Sequence, residues 1–529
     1  MRSIKILDCT LRDGGCVNNF NFGNDNMCAI LSSQEESNVD VIELGYLDEK
    51  NGSNSERTQY CNEQVIKESI LRNKKNNIEY VVMMDYGKFN VNKLNPKTES
   101  DIDGIRVAFH KKNRFDIVDI GKKIIEKGYK FYIQPMITLR YSDSELLELI
   151  EMVNRELPDA AGFYIVDSFG EMRINDMNRM LNLVDHNLLS GMMIGFHSHN
   201  NLQLSYSNAI TMLEFPTNRD IMIDCSIMGM GKGAGNLNTE LILEHLNLYY
   251  SKKYNIQPLL DIIDKVINPI HSEFNWGYSV EYYLSSVNHC TPSYARYFYN
   301  KHMLTIDQVN ELLSEISEDK KISFDKVYAE KLYREYNSRY DVDDSNVISM
   351  LINKLCKERI LLVAPGKSLN NYYDDLKSII TEKKYISIGL NDNFDLALDY
   401  VVVTRKFVYN KLLNTDIKMI VPSNLAKTTN NKVSIIDYKK WITIDDTTHE
   451  STFDIITNIL ILAKVKEINL VGFDGFSLNM NENYYDNKLR QTITIEDLEA
   501  RNGHYRRLIE KLRKIGMIIN FITPSLYDK

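Results

Sequence analysis

The chain has 529 residues, too many for one ordinary domain, and its 43% hydrophobic and 26% charged residues describe a globular protein. A net charge of −9 offers no bulk attraction for nucleic acid or an anionic membrane, and no window approaches the ~18 apolar residues of a membrane span. Seven cysteines without CxxC spacing, and an N-terminus lacking a signal-peptide core, predict reduced thiols and a cytoplasmic location.

Eight short apolar runs are predicted as strands in the first half. They are IKILDCT (4–10), VDVIELGY (39–46), IEYVVMMDY (78–86), GIRVAFH (104–110), YKFYIQPMI (129–137), AAGFYIVDS (160–168), MMIGFHSH (192–199) and IMIDCSIMG (221–229). Helical-period segments lie between them, such as SDSELLELIEMVNREL (142–157) with its N-cap Ser and acidic first turn. This alternation predicts a (β/α)8 TIM barrel over residues 1–250. Residues 251–350 read as a helical extension and connector. From 351 to 529 a second pattern, with strands at 359–365, 384–390, 400–404, 417–422, 467–473 and 517–523, predicts a Rossmann-like doubly wound α/β domain.

Polar residues fall at the ends of the first eight runs, the face where a barrel carries its active site. HSH (197–199) puts two imidazoles at i and i+2, on one side of a strand. With Asp13 from the first strand end they make a two-His, one-carboxylate set suited to Mn, Co, Fe, Zn or Mg. The alternative is two solvent-facing histidines flanking a serine by accident. Arg12 beside Asp13 can stabilise an oxyanion formed next to a carbonyl, or it can be a structural ion-pair partner. Gly14 and Gly15 would let the backbone approach a bound ion or substrate.

LDCTLRDGG, GFHSHNN and GMGKGAGNLNTE resemble the DRE-TIM metallolyase superfamily, and GYSVEYYLSSVNHCTPSYARYF resembles the C-terminal helices of its 4-hydroxy-2-oxovalerate aldolase branch. The resemblance covers about residues 1–320. It implies that Asp13, His197 and His199 ligate a divalent metal, Mn first with Mg, Co or Zn as alternatives, and that Asn236 adds a further ligand. It implies Arg12 as enolate stabiliser, Glu43 as its orienting partner, and Asp167 and Ser168 in the substrate pocket. Gln134 closes its strand on the same face and joins that pocket. Tyr278 is the match for a tyrosine that reaches the site from the helical extension, with an ordinary packed aromatic as the alternative. The departure is Cys16, which stands where these aldolases carry an acid/base histidine. A thiol with an ordinary pKa of about 8.5 is a poor substitute, so a space-filling role is the default for Cys16.

In the second domain VAPGKSL (363–369), IGLND (388–392), VGFDGF (471–476) and FITPSLY (521–527) loosely resemble bacterial sialyltransferase-type and MptE-like domains. The resemblance implies a nucleotide or nucleotide-sugar ligand near Gly366, Ser368, Asn391 and Asp474; a structural α/β domain is the alternative. His449 and His504 have no motif around them and read as ordinary surface or packed residues.

The expectation is a divalent-metal-dependent, class II-type aldolase that joins or cleaves a pyruvate-type enolate and an aldehyde. A nucleotide-binding second domain would place it in surface-polysaccharide or unusual-sugar biosynthesis. Alternatives are acyl-CoA condensation on the same barrel, as in isopropylmalate synthase, and a nucleotide-sugar transferase or binding protein acting through the second domain. The expected partners are a small 2-oxo acid, an aldehyde and other copies of the chain in a homo-oligomer, with no nucleic acid.

Overall fold

The structure is a computed structural model describing residues 2–50, 54–71, 74–301, 304–426, 430–441, 451–477, 479, 482–486 and 495–528. His449 lies outside the described residues. In chain order the first half forms β1 (Ile4–Asp8), β2 (Val41–Leu47), a two-residue β3 (Gln59–Tyr60), β4 (Glu79–Asp85) and β5 (Gly104–Phe109). It continues with β6 (Lys130–Pro135), β7 (Gly162–Asp167), β8 (Met193–Ser198) and β9 (Ile221–Cys225). They pair in parallel in the order β1-β9-β8-β7-β6-β5-β4-β2, and β1 closes the ring on β2, giving an eight-stranded barrel with β3 appended to β2.

Every residue of β5, β7 and β8 is buried, as strands packed on both faces require. Inside, Leu7, Val41, Val81, Tyr132, Tyr164 and Met222 form an apolar floor. The period-2 alternation then carries Val41 to Glu43, Tyr132 to Gln134 and Met222 to Asp224 on the same side of their strands, so a charged layer lies next to a dry one. The helix Asp143–Glu156 starts at a Ser142–Glu145 capping box and buries Leu146, Leu149, Ile150 and Val153 against the barrel. Such a cap contributes about 1 kcal/mol.

The chain divides into two compact units, Met1–Pro292 and Ser293–Lys529, and the division falls inside the 251–350 segment. Up to residue 292 the helices are fastened to the barrel. Ser286 Oγ donates to Phe169 O at 2.7 Å, Arg140 Nη2 to His289 O at 2.9 Å, and His289 Nδ1 lies 2.7 Å from Glu171 Oε2. Beyond it they are fastened to the second sheet, where Gln308 Nε2 donates to Asn424 O at 3.0 Å.

That sheet holds β10 (Ile360–Val363), β11 (Ile386–Leu390), β12 (Tyr400–Val402), β13 (Lys418–Pro422), β14 (Val433–Ile436), β15 (Glu467–Val471) and β16 (Ile518–Phe521). All pair in parallel in the order β14-β13-β12-β11-β10-β15-β16, so the direction of winding reverses between β10 and β15. The sheet is open and doubly wound. Strand β14 was absent from the sequence expectation; its four residues VSII are bracketed by polar NNK and DYKK and interrupted by a serine.

Candidate metal centre

The first ligand is placed by a turn that β1 cannot continue. Asp8 accepts from Thr10 N at 2.8 Å, Thr10 Oγ1 at 2.6 Å, Gln34 Nε2 at 2.6 Å and Thr239 Oγ1 at 2.5 Å, which folds the chain over the end of the strand. Arg12 N and Asp13 N both return to Cys9 O, at 3.0 and 2.8 Å. Gly14 and Gly15 serve packing rather than approach to an ion. A Cβ on Gly15 would lie 2.3 Å from the Phe20 ring, and one on Gly14 3.2 Å from Met230 Cγ. The glycine that does face the site is Gly231, whose Cβ would stand 2.7 Å from Asp13 Oδ2 and 2.4 Å from Asn236 Nδ2.

Asp13, His197 and His199 are all buried, and one ligand atom from each lies within 4.8 Å of the others. His199 Nδ1 is 3.8 Å from Asp13 Oδ2 and makes no hydrogen bond among the described residues. Asn236 donates from Nδ2 to Asp13 Oδ2 at 2.8 Å, and its buried Oδ1 has no partner among the described residues. Arg12 donates from Nε to Glu43 Oε2 at 2.6 Å and from Nη1 to Asp13 Oδ1 at 2.7 Å; its buried Nη2 is unpartnered among the described residues. His199, Asn236 and Arg12, each in contact with or adjacent to Asp13, thus each keep a buried polar atom without a partner among the described residues, and the N/O donors of the Asp13–His197–His199 set fit a divalent ion with open positions.

The protonation states fit too. Burial alone would raise the Asp13 carboxyl, but Arg12, the two histidines and the Asn236 amide hold it well below the usual carboxylate range. Burial drives His199 down to about 4 against the pull of Asp13, leaving a neutral imidazole at pH 7. Desolvation around the sulfur, reinforced by Asp13, pushes the Cys16 thiol up to about 12, although the residue as a whole is exposed.

Other expected residues sit differently. Glu43 is fully buried and does hold Arg12. Gln134 faces Arg106; in the amide orientation that satisfies both, its oxygen accepts from Arg106 Nε at 3.2 Å and Nη2 at 3.0 Å. The Asp167 carboxyl is spent on backbone, accepting from Glu171 N and Met172 N at 3.0 Å each, and burial pushes it up to about 7. Ser168 Oγ accepts from Ile137 N at 3.0 Å. These two side chains hold loops in place. Tyr278 is 58% exposed, and the aromatic that turns inward is Trp276. Trp276 Nε1 donates to Met228 O at 3.0 Å, its ring packs on His271, and a Cβ on Gly235 would touch it at 3.3 Å. The loop phase between two short helices, Asn268–Phe274 and Val280–Val287, decides which aromatic faces in.

Two residues escaped sequence reasoning altogether, Arg106 and Asp224. Arg106 is fully buried, ion-paired to Glu43 Oε1 at 2.7 Å, bonded to Asp224 Oδ2, and faced by the Tyr164 ring at 4.7 Å. Asp224 Oδ2 also meets His197 Nδ1 at 3.0 Å. The available signal was a lone charge inside each of two apolar runs, GIRVAF and IMIDC, that a barrel must bury.

In the second unit a cleft opens at the C-terminal ends of β10, β11, β12 and β15, around the winding reversal. Gly366, Asn391 and Asp474 line it, but their polar groups are engaged. Asp474 accepts from Ser368 N at 2.6 Å and from Ser368 Oγ, so a protein carboxylate caps the helix Leu369–Thr381 at the position where the resemblance implies a nucleotide ligand. Asn391 Nδ2 donates to Thr404 Oγ1 at 2.9 Å and Thr452 Oγ1 at 2.5 Å, tying loop ends together. Arg405, Arg501, His504 and Tyr505 also line the cleft. His504 is buried, with Nε2 2.9 Å from Asp454 Oδ2. Among the described residues no helix is long and apolar enough to cross a membrane.

Comparison with known proteins falls on the barrel. The HMGL-like family model matches residues 3–266. The chain is 24% identical over 278 residues to 4-hydroxy-2-oxovalerate aldolase of Geobacillus thermodenitrificans, covering 51% of this chain and 77% of that protein. The aldolase of the same name from Carboxydothermus hydrogenoformans is 26% identical over 277 residues, covering 51% and 78%. Among solved structures, HMG-CoA lyase from Brucella melitensis is 15% identical, covers 50% of this chain and 96% of its own, and superposes with a TM-score of 0.40. The barrel of this chain belongs to the HMGL-like family, within the DRE-TIM metallolyase superfamily.

Proposed function

We propose that the barrel is a divalent-metal-dependent carbon–carbon lyase or aldolase acting on a pyruvate-type enolate and an aldehyde. The observation that carries this is Arg12 Nη2, a buried donor without a partner among the described residues, on the arginine bonded to Asp13 of the Asp13–His197–His199 set. A divalent ion held by those residues, with Asn236 Oδ1 beside them, would supply Lewis-acid polarisation of a 2-oxo acid. Mn is the first candidate. Arg12, held rigid by Glu43 and Asp13, aims Nη2 at the oxygen that turns negative as the enolate forms. The apolar floor keeps water from below. Cys16, with its thiol near 12, stays protonated at neutral pH and does not serve as a base.

The test is exchange of pyruvate methyl protons with deuterated solvent, using the full chain and Mn(II). Exchange that is abolished by EDTA and by His197→Ala supports the reading. Exchange that survives His197→Ala refutes it. Release of free thiol from acetyl-CoA without any pyruvate exchange would favour acyl-CoA condensation instead.

For the second unit we infer a nucleotide or nucleotide-sugar ligand. The supporting observation is that Arg405, Arg501, Phe476 and Tyr505 line one cleft at the winding reversal, two cations beside two aromatic rings. Thermal shift of the full chain with CMP and UMP tests it; an unchanged Tm at millimolar nucleotide refutes it.

A further inference from the structure

A continuous chain of buried charges joins His197 to Arg12. His197 Nδ1 lies 3.0 Å from Asp224 Oδ2, and Asp224 accepts from Arg106 Nη2. Arg106 Nη1 is 2.7 Å from Glu43 Oε1, Glu43 Oε2 accepts from Arg12 Nε at 2.6 Å, and Arg12 Nη1 reaches Asp13 Oδ1 at 2.7 Å. The chain thus begins and ends on members of the candidate metal set. Arg106 and Glu43 are 0% exposed and Asp224 2%.

Stability alone is a poor reason for such an array. Barrel interiors are ordinarily filled by branched apolar side chains, and a buried ionic triad often contributes less than apolar residues of similar volume. The layer below it here is apolar in that way, with Tyr164 facing the Arg106 guanidinium at 4.7 Å. The charges also balance toward a cation. Asp13, Glu43 and Asp224 against Arg12 and Arg106 leave one net negative charge beside two histidines.

We propose that Asp224 and Arg106 are positioning residues of the metal centre. Asp224 holds His197 as the Nδ1–H tautomer, which leaves the Nε2 lone pair for the ion. Arg106 spans Asp224 and Glu43 with two arms of one planar group, so ligand His197 and oxyanion donor Arg12 are set in one frame. A lysine has a single ammonium and cannot hold both carboxylates at fixed separation. This rests on the metal-dependent reading of the barrel.

Two variants separate the arms, with binding rather than turnover as the readout. Asp224→Asn should raise the Mn(II) dissociation constant, measured by calorimetry, by about 10- to 100-fold, the usual cost of losing a partner that orients a metal-ligating histidine. Arg106→Lys should leave Mn(II) affinity within about threefold but weaken oxalate, a planar enolate mimic, on the Mn-loaded protein by at least about tenfold. A purely structural role would lower Tm in both variants without moving either constant. Mn(II) affinity of Asp224→Asn within about threefold of the parent, or unchanged oxalate affinity in Arg106→Lys, overturns the proposal. If either variant fails to fold, the tautomer decides it. In the parent chain labelled with 15N-histidine, the signal lost in His197→Asn should be Nδ1-protonated, and an Nε2-protonated ring overturns it. His197→Ala separates the two levels: if it binds Mn(II) like the parent, the metal reading itself fails. If it loses the ion while Asp224→Asn keeps it, only the positioning role fails.

Discussion

Replacing Arg12 with lysine removes the proposed oxyanion donor while keeping the charge. Two of the three guanidinium nitrogens are already committed, Nε to Glu43 at 2.6 Å and Nη1 to Asp13 at 2.7 Å, so only Nη2 is left for substrate. A lysine ammonium that settles between the carboxylates has nothing left to aim at the enolate oxygen. Loss of one preorganised donor in such a site costs about 3–4 kcal/mol of transition-state stabilisation, or about 10²- to 10³-fold in rate. Mn(II) binding should change far less, because Asp13 keeps the Asn236 amide at 2.8 Å and Glu43 keeps Arg106 at 2.7 Å. The assay is methyl-proton exchange of pyruvate in deuterated buffer at saturating Mn(II), followed by proton NMR, alongside calorimetry for the metal. Exchange within about threefold of the parent would refute the role of Nη2.

Three further outcomes are expected. Cys16→Ser should exchange pyruvate protons within about twofold of the parent, and parent Cys16 should alkylate slowly at pH 7.5, its rate rising about tenfold per unit up to about pH 12; a plateau below pH 9 contradicts the raised thiol. Asp167 is held up to about 7 in the fold against an ordinary 3.8, so the folded state binds more protons between those values and stability falls as pH rises through them. Urea unfolding should show a loss of about 1.4 kcal/mol per unit between pH 4 and 7 that Asp167→Asn lacks, and parallel profiles for the two would contradict it. Trp276→Ala should destabilise the chain by about 1–3 kcal/mol and weaken Mn(II) severalfold, since it loses the bond to Met228 O and its packing against Gly235 in the loop that carries Asn236; a change in stability without a change in metal affinity would separate that loop from the site.

The barrel was legible because each of its eight strands is an apolar run ended by polar residues, and burial on both faces leaves such runs few alternatives. The candidate metal set was legible for a local reason: His197 and His199 stand at i and i+2 at the end of β8, and Asp13 lies in the tight turn that follows β1. What stayed hidden depends on pairing between distant segments. Arg106 looks like a flaw in an apolar run until β5 and β9 bring it to Asp224, 118 residues away. Ser368 reads as part of a nucleotide site because its actual partner, Asp474, lies 106 residues further on. Tyr278 and Trp276 are two positions apart in a loop without periodicity, so nothing local tells which faces inward. His504 carried no motif, yet the helices Thr452–Leu462 and Ile495–Lys514 bring it to Asp454 and set it on the cleft wall.

Everything proposed for the barrel depends on Asp13, His197 and His199 holding a divalent ion beside Arg12. Anomalous diffraction from crystals of the full chain grown with Mn(II) and pyruvate tests it most directly. One strong peak among those three side chains is expected, with the pyruvate keto oxygen within hydrogen-bond reach of Arg12 Nη2. A peak elsewhere, or pyruvate bound in the barrel without one, would contradict it.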